Sequence, residues 1–406
     1  GLGYGVFERD EFILALETGY VQSANGGRLQ MDGSSMRVPN ARLPDPPAIF
    51  NLKGWGSVPT VMSLMDNKPF EILTKTKRGI DDVFGQAELA IEIKTPLKPG
   101  VKPRDVAYDL TGTLRDLRSE VLVPGRSFRA DVLRLTGTPD LIEISGAGRI
   151  IDIPFKGIWS QPLGAANLRS QVTANFELTP RSLDTLNIGL PEGILAGAAE
   201  GALRLDIVEN KPVAFELTSD LIGMQLKSAA LNWSKPAAQA AQLRVQGAFG
   251  KLLKVDLLGL EAQGLSLEGT VEFDDVGLDR VVLSRLDVGD WLDGAATFIQ
   301  QGAGTPMRLL LSGDLDLRSY GKFTGGDLTW GNTTEPMPML LKLGRLQLSN
   351  NLFLSDVQAD FDRGLAAGGP FGGRVNGGVG ITGQMSGHGA GLRLSVKSQD
   401  AGGVLR

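Results

Sequence analysis

The 406-residue chain carries 41 Lys and Arg against 46 Asp and Glu, a formal charge of −5, with 42% apolar and 21% charged residues. Its 54 glycines are about twice ordinary usage, yet no Gly-X-Y period exists and Leu and Val are plentiful, which excludes collagen and argues against disorder. The mild negative balance with scattered Lys and Arg gives no electrostatic reason to expect nucleic acid, and the lack of cysteine removes disulfides, thiolate metal sites and cysteine nucleophiles together.

In chain order the sequence reads as strand after strand. A first strand spans 12–21, a turn falls at Asn25-Gly26-Gly27, and a second strand spans 28–32, the chemistry of a hairpin. A proline-rich passage (Pro39, Pro44, Pro46, Pro47) leads to 48–55, and Val58–Met65 is the first helical stretch, with Pro59 early in it. Strands resume at 83–94. From Asp105 to Trp159 an apolar period of two recurs between Gly, Pro and Asp punctuation: Val106, Tyr108, Leu110; then Phe128, Ala130, Val132; Ile142, Ile144; and Ile151, Ile153, Phe155. That period marks half-buried antiparallel strands. Residues 168–178 continue it through Val172 and Phe176, and a short helix is expected at 180–188, with Thr179 as N-cap and Pro180 at its first position. Further strands are expected at 194–208, 212–219, 242–249, 252–260, 265–273, 278–286, 307–317, 340–348, 352–361, 373–382 and 391–397, with a poor helix around 291–299 broken by Gly294. No long helical pattern occurs, which argues against βαβ units.

A glycine repeatedly follows an apolar residue by two positions and so shares its face: Leu110/Gly112, Ile144/Gly146, Phe155/Gly157, Val245/Gly247, Leu267/Gly269, Leu311/Gly313 and Ile381/Gly383. Glycine within a strand forfeits packing and marks a bend, a bulge or a close approach. The expected fold is therefore all-β with a few short helices: an elongated, strongly curved, mostly antiparallel sheet with a hydrophobic groove. Residues 1–406 read as one continuous segment, with softer divisions at 1–100, 101–290 and 291–406.

Catalytic signatures are missing. A Ser–His–acid triad would need the single histidine, His388, which lies between glycines. The run 368–380 is followed by no Gly-Lys-Ser/Thr and so is no phosphate cradle. Glu272, Asp274, Asp275 and Asp279 lack the spacing of a calcium loop. Neither cofactor nor metal is expected, and the chain does not read as an enzyme. The informative residues are the apolar ones. Leu110, Leu114, Phe128, Val132, Ile142, Ile144, Ile153, Phe155, Val172, Phe176, Val213, Phe215, Leu217, Leu267, Val271, Phe273, Leu311 and Leu315 form either the core of a sandwich or the lining of an acyl-chain groove, where each buried CH₂ contributes about 0.8 kcal/mol.

Several stretches resemble the AsmA-like superfamily, in particular its YhdP-type branch, with TamB more distant. They are Trp55-Gly-Ser-Val-Pro-Thr-Val-Met-Ser-Leu-Met-Asp66, Thr95-Pro-Leu-Lys98 before Asp105-Val-Ala-Tyr-Asp109, Val123-Pro-Gly-Arg126, Leu231-Asn-Trp-Ser-Lys-Pro236 and Leu311-Ser-Gly-Asp-Leu-Asp-Leu317. The resemblance covers most of the chain in order. It implies a long sheet folded over like a taco, whose channel carries phospholipid between the inner and outer membranes of a diderm bacterium. It also implies a periplasmic location and an inner-membrane anchor. No apolar run here reaches the ~18 residues of a spanning helix, and the chain starts at Gly1 and ends in strand-like sequence, so a middle segment of a longer protein is expected. Membrane contacts then belong to parts outside it, envelope proteins are further candidate partners, and the family supplies no catalytic residues. A scaffolding sandwich or solenoid of the envelope is the main rival, followed by a polysaccharide hydrolase and an outer-membrane barrel.

Overall fold

The computed structural model describes residues 1–24, 26–65, 82–123, 126–163, 169–185, 194–208, 210–228, 231, 233–302, 305–323, 337–388 and 391–400. The protein is all-β with short helices, and its strands form a mostly antiparallel sheet that stays open. It divides into two units, Gly1–Glu177 with Leu203–Lys211, and Leu178–Ala202 with Pro212–Arg406.

In the first unit the strands are β1 (Leu2–Glu8), β2 (Glu11–Thr18), β3 (Tyr20–Gln22), β4 (Arg28–Gln30), β5 (Ser35–Val38) and β6 (Pro47–Ser57). After helix α1 (Val58–Met65) come β7 (Val83–Pro96), β8 (Ala107–Val123), β9 (Arg126–Gly137), β10 (Leu141–Ile150), β11 (Ile153–Pro162) and β12 (Arg169–Leu178). From β6 to β12 each strand pairs antiparallel with the next. Beyond β6, β5 pairs with β2 and β2 with β1, while β4 links β3 to β6. Ser57 starts α1, its hydroxyl accepting from the Thr60 amide at 3.3 Å, an N-cap that satisfies one of the orphan donors of the first turn. Val58 and Val61, three apart, then bury on one side of the helix with Leu29, Val83 and Ala87.

In the same unit the backbone irregularities fall close together across neighbouring strands. Gly85, Asp116 and Gly146 all take positive φ, of 142°, 52° and 154°. The β7–β8 and β9–β10 ladders shift register there. A Cβ on Gly146 would lie 2.9 Å from the Val132 carbonyl oxygen, so only glycine tolerates that crossing of strands.

The second unit begins with helix α2 (Pro180–Thr185). The Thr179 hydroxyl accepts from the Ser182 amide at 3.0 Å and the Ser182 hydroxyl accepts from the Thr179 amide at 2.8 Å, a reciprocal cap. Residues 186–188 of the expected helix lie outside the described residues. Then follow β13 (Leu195–Gly197), β14 (Ala199–Val208), whose residues fall in both units, β15 (Val213–Ser219), β16 (Met224–Ser228) and β17 (Trp233–Lys235). The main ladder continues with β18 (Gln242–Phe249), β19 (Leu253–Ala262), β20 (Leu265–Phe273), β21 (Leu278–Val288), β22 (Leu292–Ile299) and β23 (Arg308–Asp316). After α3 (Leu317–Phe323) come β24 (Met339–Ser349), β25 (Leu352–Phe361), helix α4 (Gly364–Ala367), β26 (Gly369–Val375), β27 (Val379–His388) and β28 (Gly391–Lys397). Strand β15 pairs with β18, and each later strand pairs with the next. All are antiparallel except β23–β24, which is parallel.

Strands β13, β16 and β17 form a separate small sheet. Within it Lys235 is 1% exposed, and its ammonium donates to the carbonyls of Leu221 and Met224 at 2.7 Å and of Pro236 at 3.2 Å. Burial pushes its pKa down while Asp220 pulls it back.

Two expectations are corrected. The poor helix around 291–299 is strand β22, because both of its edges are paired, Ala296 with Leu283 on one side and with Leu311 on the other. The expected strand 373–382 is a hairpin, with β26 and β27 meeting around Asn376 and Gly377 at φ 47° and 75°.

Gly294 and Gly313 face each other directly, and a Cβ on Gly313 (φ 129°) would lie 2.2 Å from the Asp293 oxygen. Gly313→Ala should therefore cost about 1–3 kcal/mol. The control Gly380→Ala, where a Cβ meets nothing within 4 Å, should change stability little. Urea unfolding of the two variants measures the difference.

Candidate functional site: the apolar face of the sheet

Directly opposed residues of paired strands point to the same side of a sheet, so the register assigns the faces. In the first unit one row runs Ala87–Leu114–Leu133–Gly146–Gly157–Ala174. Beside it lies Leu89–Gly112–Leu135–Ile144–Trp159–Val172. A third row is Ile91–Leu110–Gly137–Ile142, and toward the opposite strand ends come Ser119–Phe128–Ile150–Ile153 and the pair Phe155–Phe176. The other side of the same strands carries Thr111, Thr136 and Glu143 in one row and Thr113, Arg134 and Ser145 in the next. The pattern is a sheet with one oily and one polar face.

Burial on the oily face is uneven. On β7 to β9, Leu89, Leu110, Leu114, Leu133 and Leu135 are buried, as is Ile142 at the start of β10. They form one cluster with α1. Toward β12, Ile144, Ile153, Phe155, Trp159, Val172 and Phe176 are only half-buried. There the small row Gly146–Gly157–Ala174 lies between the Ile144–Trp159–Val172 row and the Phe155–Phe176 pair. Leu133 reaches over Gly146, its Cδ2 2.7 Å from where a Cβ would stand, so the incompletely covered part of this face is the half-buried side chains on either side of the small row.

The second unit repeats the arrangement. Its rows include Phe215–Gly247–Val255–Val271–Val281–Phe298–Leu309 and Leu217–Val245–Leu258–Gly269–Leu283–Ala296–Leu311. Val213, Phe215, Leu217, Leu267, Val271 and Phe273 are half-buried. Leu311 and Leu315 are buried, the latter 3% exposed. From β21 onward most of the face is closed by the chain's own atoms, although Val281 and Phe298 stay half-buried. Val288, Leu292 and Leu346 are buried, and Trp291 meets Tyr320 of α3 edge-on with ring centroids 4.9 Å apart. Burial raises the Tyr320 hydroxyl pKa, so it stays neutral at ordinary pH. Across both units the polar side is knitted by exposed ion pairs such as Arg244–Glu216 at 2.8 Å and Arg169–Asp206 at 2.7 Å, and hydrogen bonding to Arg169 holds the Asp206 carboxyl below its usual range. Such exposed pairs contribute little each.

Seventeen of the eighteen residues read from the sequence as lining thus fall on the apolar face of their unit. Val132 does not. It opposes Arg115 on the other side and is 47% exposed. The register shift between β9 and β10 switches the alternation between Ala130 and Leu133, which the adjacent apolar pair Val132-Leu133 signals in the sequence. Leu133 and Leu135 take the place foreseen for it. Sequence reasoning also passed over Ala87, Leu89 and Trp159, although all three obey the same period of two. Among the described residues no group of His, Cys, Asp and Glu is arranged to hold a metal, and no helix is long and apolar enough to cross a membrane. No family model, curated protein or solved structure matches the chain.

The switch at Val132 is testable by charge insertion. Leu133→Asp should destabilise the first unit by more than about 3 kcal/mol, a buried unpaired carboxylate being among the costliest substitutions. Val132→Asp should stay within about 0.5 kcal/mol. Equal losses in denaturant unfolding would contradict the face assignment.

Proposed function

We propose that the half-buried stretches of the apolar face hold acyl chains. On this reading the protein is a segment of a bridge-like phospholipid transporter linking the inner and outer membranes of a diderm bacterium, as the resemblance to the AsmA-like superfamily implies. The observation that carries the reading is the unbroken set of half-buried apolar side chains on one face of β10 to β12, namely Ile144, Trp159, Val172, Phe155 and Phe176. Contiguous apolar surface that the chain leaves incompletely covered marks a binding site, and an apolar face without converging polar groups selects for hydrocarbon. A chain of about a dozen methylenes transferred from water to such a surface gains roughly 10 kcal/mol at full burial. Transport is passive on this reading: head groups stay in water while the tails are shielded. The segment resides in the periplasm and reaches the membranes, and any envelope partners, through other parts of the protein. It has no catalytic role.

A second reading, a scaffolding protein without lipid, draws on one specific observation: Leu110, Leu114, Leu311 and Leu315 are already covered by the chain itself. The two readings part on extraction. Solvent extracts of purified protein should yield acyl lipids by mass spectrometry. A photo-crosslinking residue at Val172 should capture lipid, while one at the neighbouring Thr173, on the exposed opposite face, should not. Phe155→Asp and Phe215→Asp, at half-buried positions, should cut lipid recovery several-fold and leave the fold intact. Leu315→Asp is uninformative because that site is packed. Lipid-free extracts, or equal capture at 172 and 173, favour the scaffold.

A further inference from the structure

Near the hairpin ends of β8–β9 and β10–β11 the first unit gathers arginines in a way its overall negative charge does not foretell. Arg118, Arg129 and Arg149 oppose one another directly on three adjacent strands, which places their Cα atoms about 4.5–5.5 Å apart. Like charges set opposite each other weaken a sheet. Among the described residues none of the three makes an ion pair, although arginines elsewhere do, such as Arg244 and Arg285. Arg118 and Arg129 line a cleft of about 620 Å³ together with Phe84 and Phe128. Asp82, Asp116 and Glu120 also line it, without forming an ion pair to either arginine.

A fourth arginine lies on the oily side of the same edge. Arg126 is two residues from Phe128 along β9 and therefore shares its face. Its Nη1 is buried and has no hydrogen-bond partner among the described residues. The apolar surface continues from Phe128 to Ile150 and Ile153, the half-buried stretch assigned above to acyl chains. A guanidinium with one unbonded N–H group beside apolar surface, backed by three arginines that form no ion pair among the described residues, has donors for an oxyanion contact. We infer that this edge of the first unit binds the phosphate of an acyl lipid, with Arg126 reaching it from the apolar side and the Arg118–Arg129–Arg149 row supplying the field. The inference rests on the acyl-chain reading and adds the head-group chemistry to it.

Three probes on the intact chain separate the components: dihexanoyl phosphatidic acid, uncharged dihexanoylglycerol and inorganic phosphate. The unmodified protein should bind phosphatidic acid about tenfold or more tightly than dihexanoylglycerol, one charge-assisted pair supplying a factor of that order. Arg126→Gln, and separately the double variant Arg118→Gln/Arg129→Gln, should bring that ratio toward one without changing dihexanoylglycerol affinity. The double variant should unfold at the same or a higher temperature, since it removes repulsion. Phe155→Asp should weaken both lipids. A ratio near one in the unmodified protein, or one unaltered by the arginine variants, overturns the phosphate site. In that case Phe155-dependent binding of dihexanoylglycerol leaves the acyl-chain reading standing. Inorganic phosphate binding as tightly as phosphatidic acid reassigns the site to the free anion and overturns the lipid assignment. Loss of all lipid binding in the unmodified protein overturns both.

Discussion

Direct cross-strand pairing is the constraint from which the rest of the structure follows. Because opposed residues share a face, each row through a ladder repeats one choice, oily or polar, strand after strand. A single slip would turn the oily set to water. The glycines belong to this constraint. A Cβ on Gly247 would sit 1.9 Å from the Lys254 oxygen, on Gly269 2.1 Å from the Val282 oxygen, and on Gly383 1.9 Å from the Ser395 oxygen. All three lie in apolar rows. Where neighbouring backbone presses against the oily face no side chain fits, and adjacent rings fill the space instead, Phe215 over Gly247 and Phe371 over Gly383.

What the sequence made legible was whatever depends on period and local chemistry alone. The alternation around Leu110, Ile142 and Phe155, the capped start of the helix at Val58, and Thr179 ahead of Pro180 all reflect interactions within a few residues. What stayed hidden depends on a neighbour far along the chain. Residues 292–299 carry a weak helical spacing and a weak strand spacing together, and only pairing with β21 and β23 decides between them. Val132 continues the period set by Phe128 and Ala130, and although the apolar pair Val132-Leu133 hints at a change of phase, only the register shift against β10 decides which of the two turns inward. The parallel pairing of β23 with β24 was equally hidden, since each strand by itself fits either direction. For the candidate site this means that the choice of apolar positions was readable, whereas the degree to which each is covered was not. Coverage is a property of what packs above a residue, and the period of two carries no record of it.

That coverage sets the functional argument. In the first unit, Leu114 and Val172 occupy adjacent rows of the same face, yet α1 and its cluster close over the former and leave the latter half-exposed. In the second, Phe215 and Leu311 differ likewise. Packing of the covered positions contributes about 1.5–3 kcal/mol for each large aliphatic side chain and holds the sheet without help. The uncovered positions contribute less than they would in a core, and an isolated fold would gain by covering them. A face that is closed in one part and open in another, with unbroken rows between, is stable enough to stand while keeping hydrocarbon surface available.

The polar side of the sheet sharpens the contrast. Many charges there pair across strands, as with Arg169 and Asp206 or Arg244 and Glu216. A binding protein for a polar substrate would concentrate uncompensated groups in a cleft behind a rigid wall. Here one face of the sheet is aliphatic, and the arginines that form no ion pair among the described residues, Arg118, Arg129 and Arg149, sit near the hairpin ends. That is the charge distribution an amphiphile requires: hydrocarbon met by hydrocarbon along the strands, and anionic groups met by arginine only at the boundary. A ligand lacking either half would leave one of the two surfaces without a counterpart.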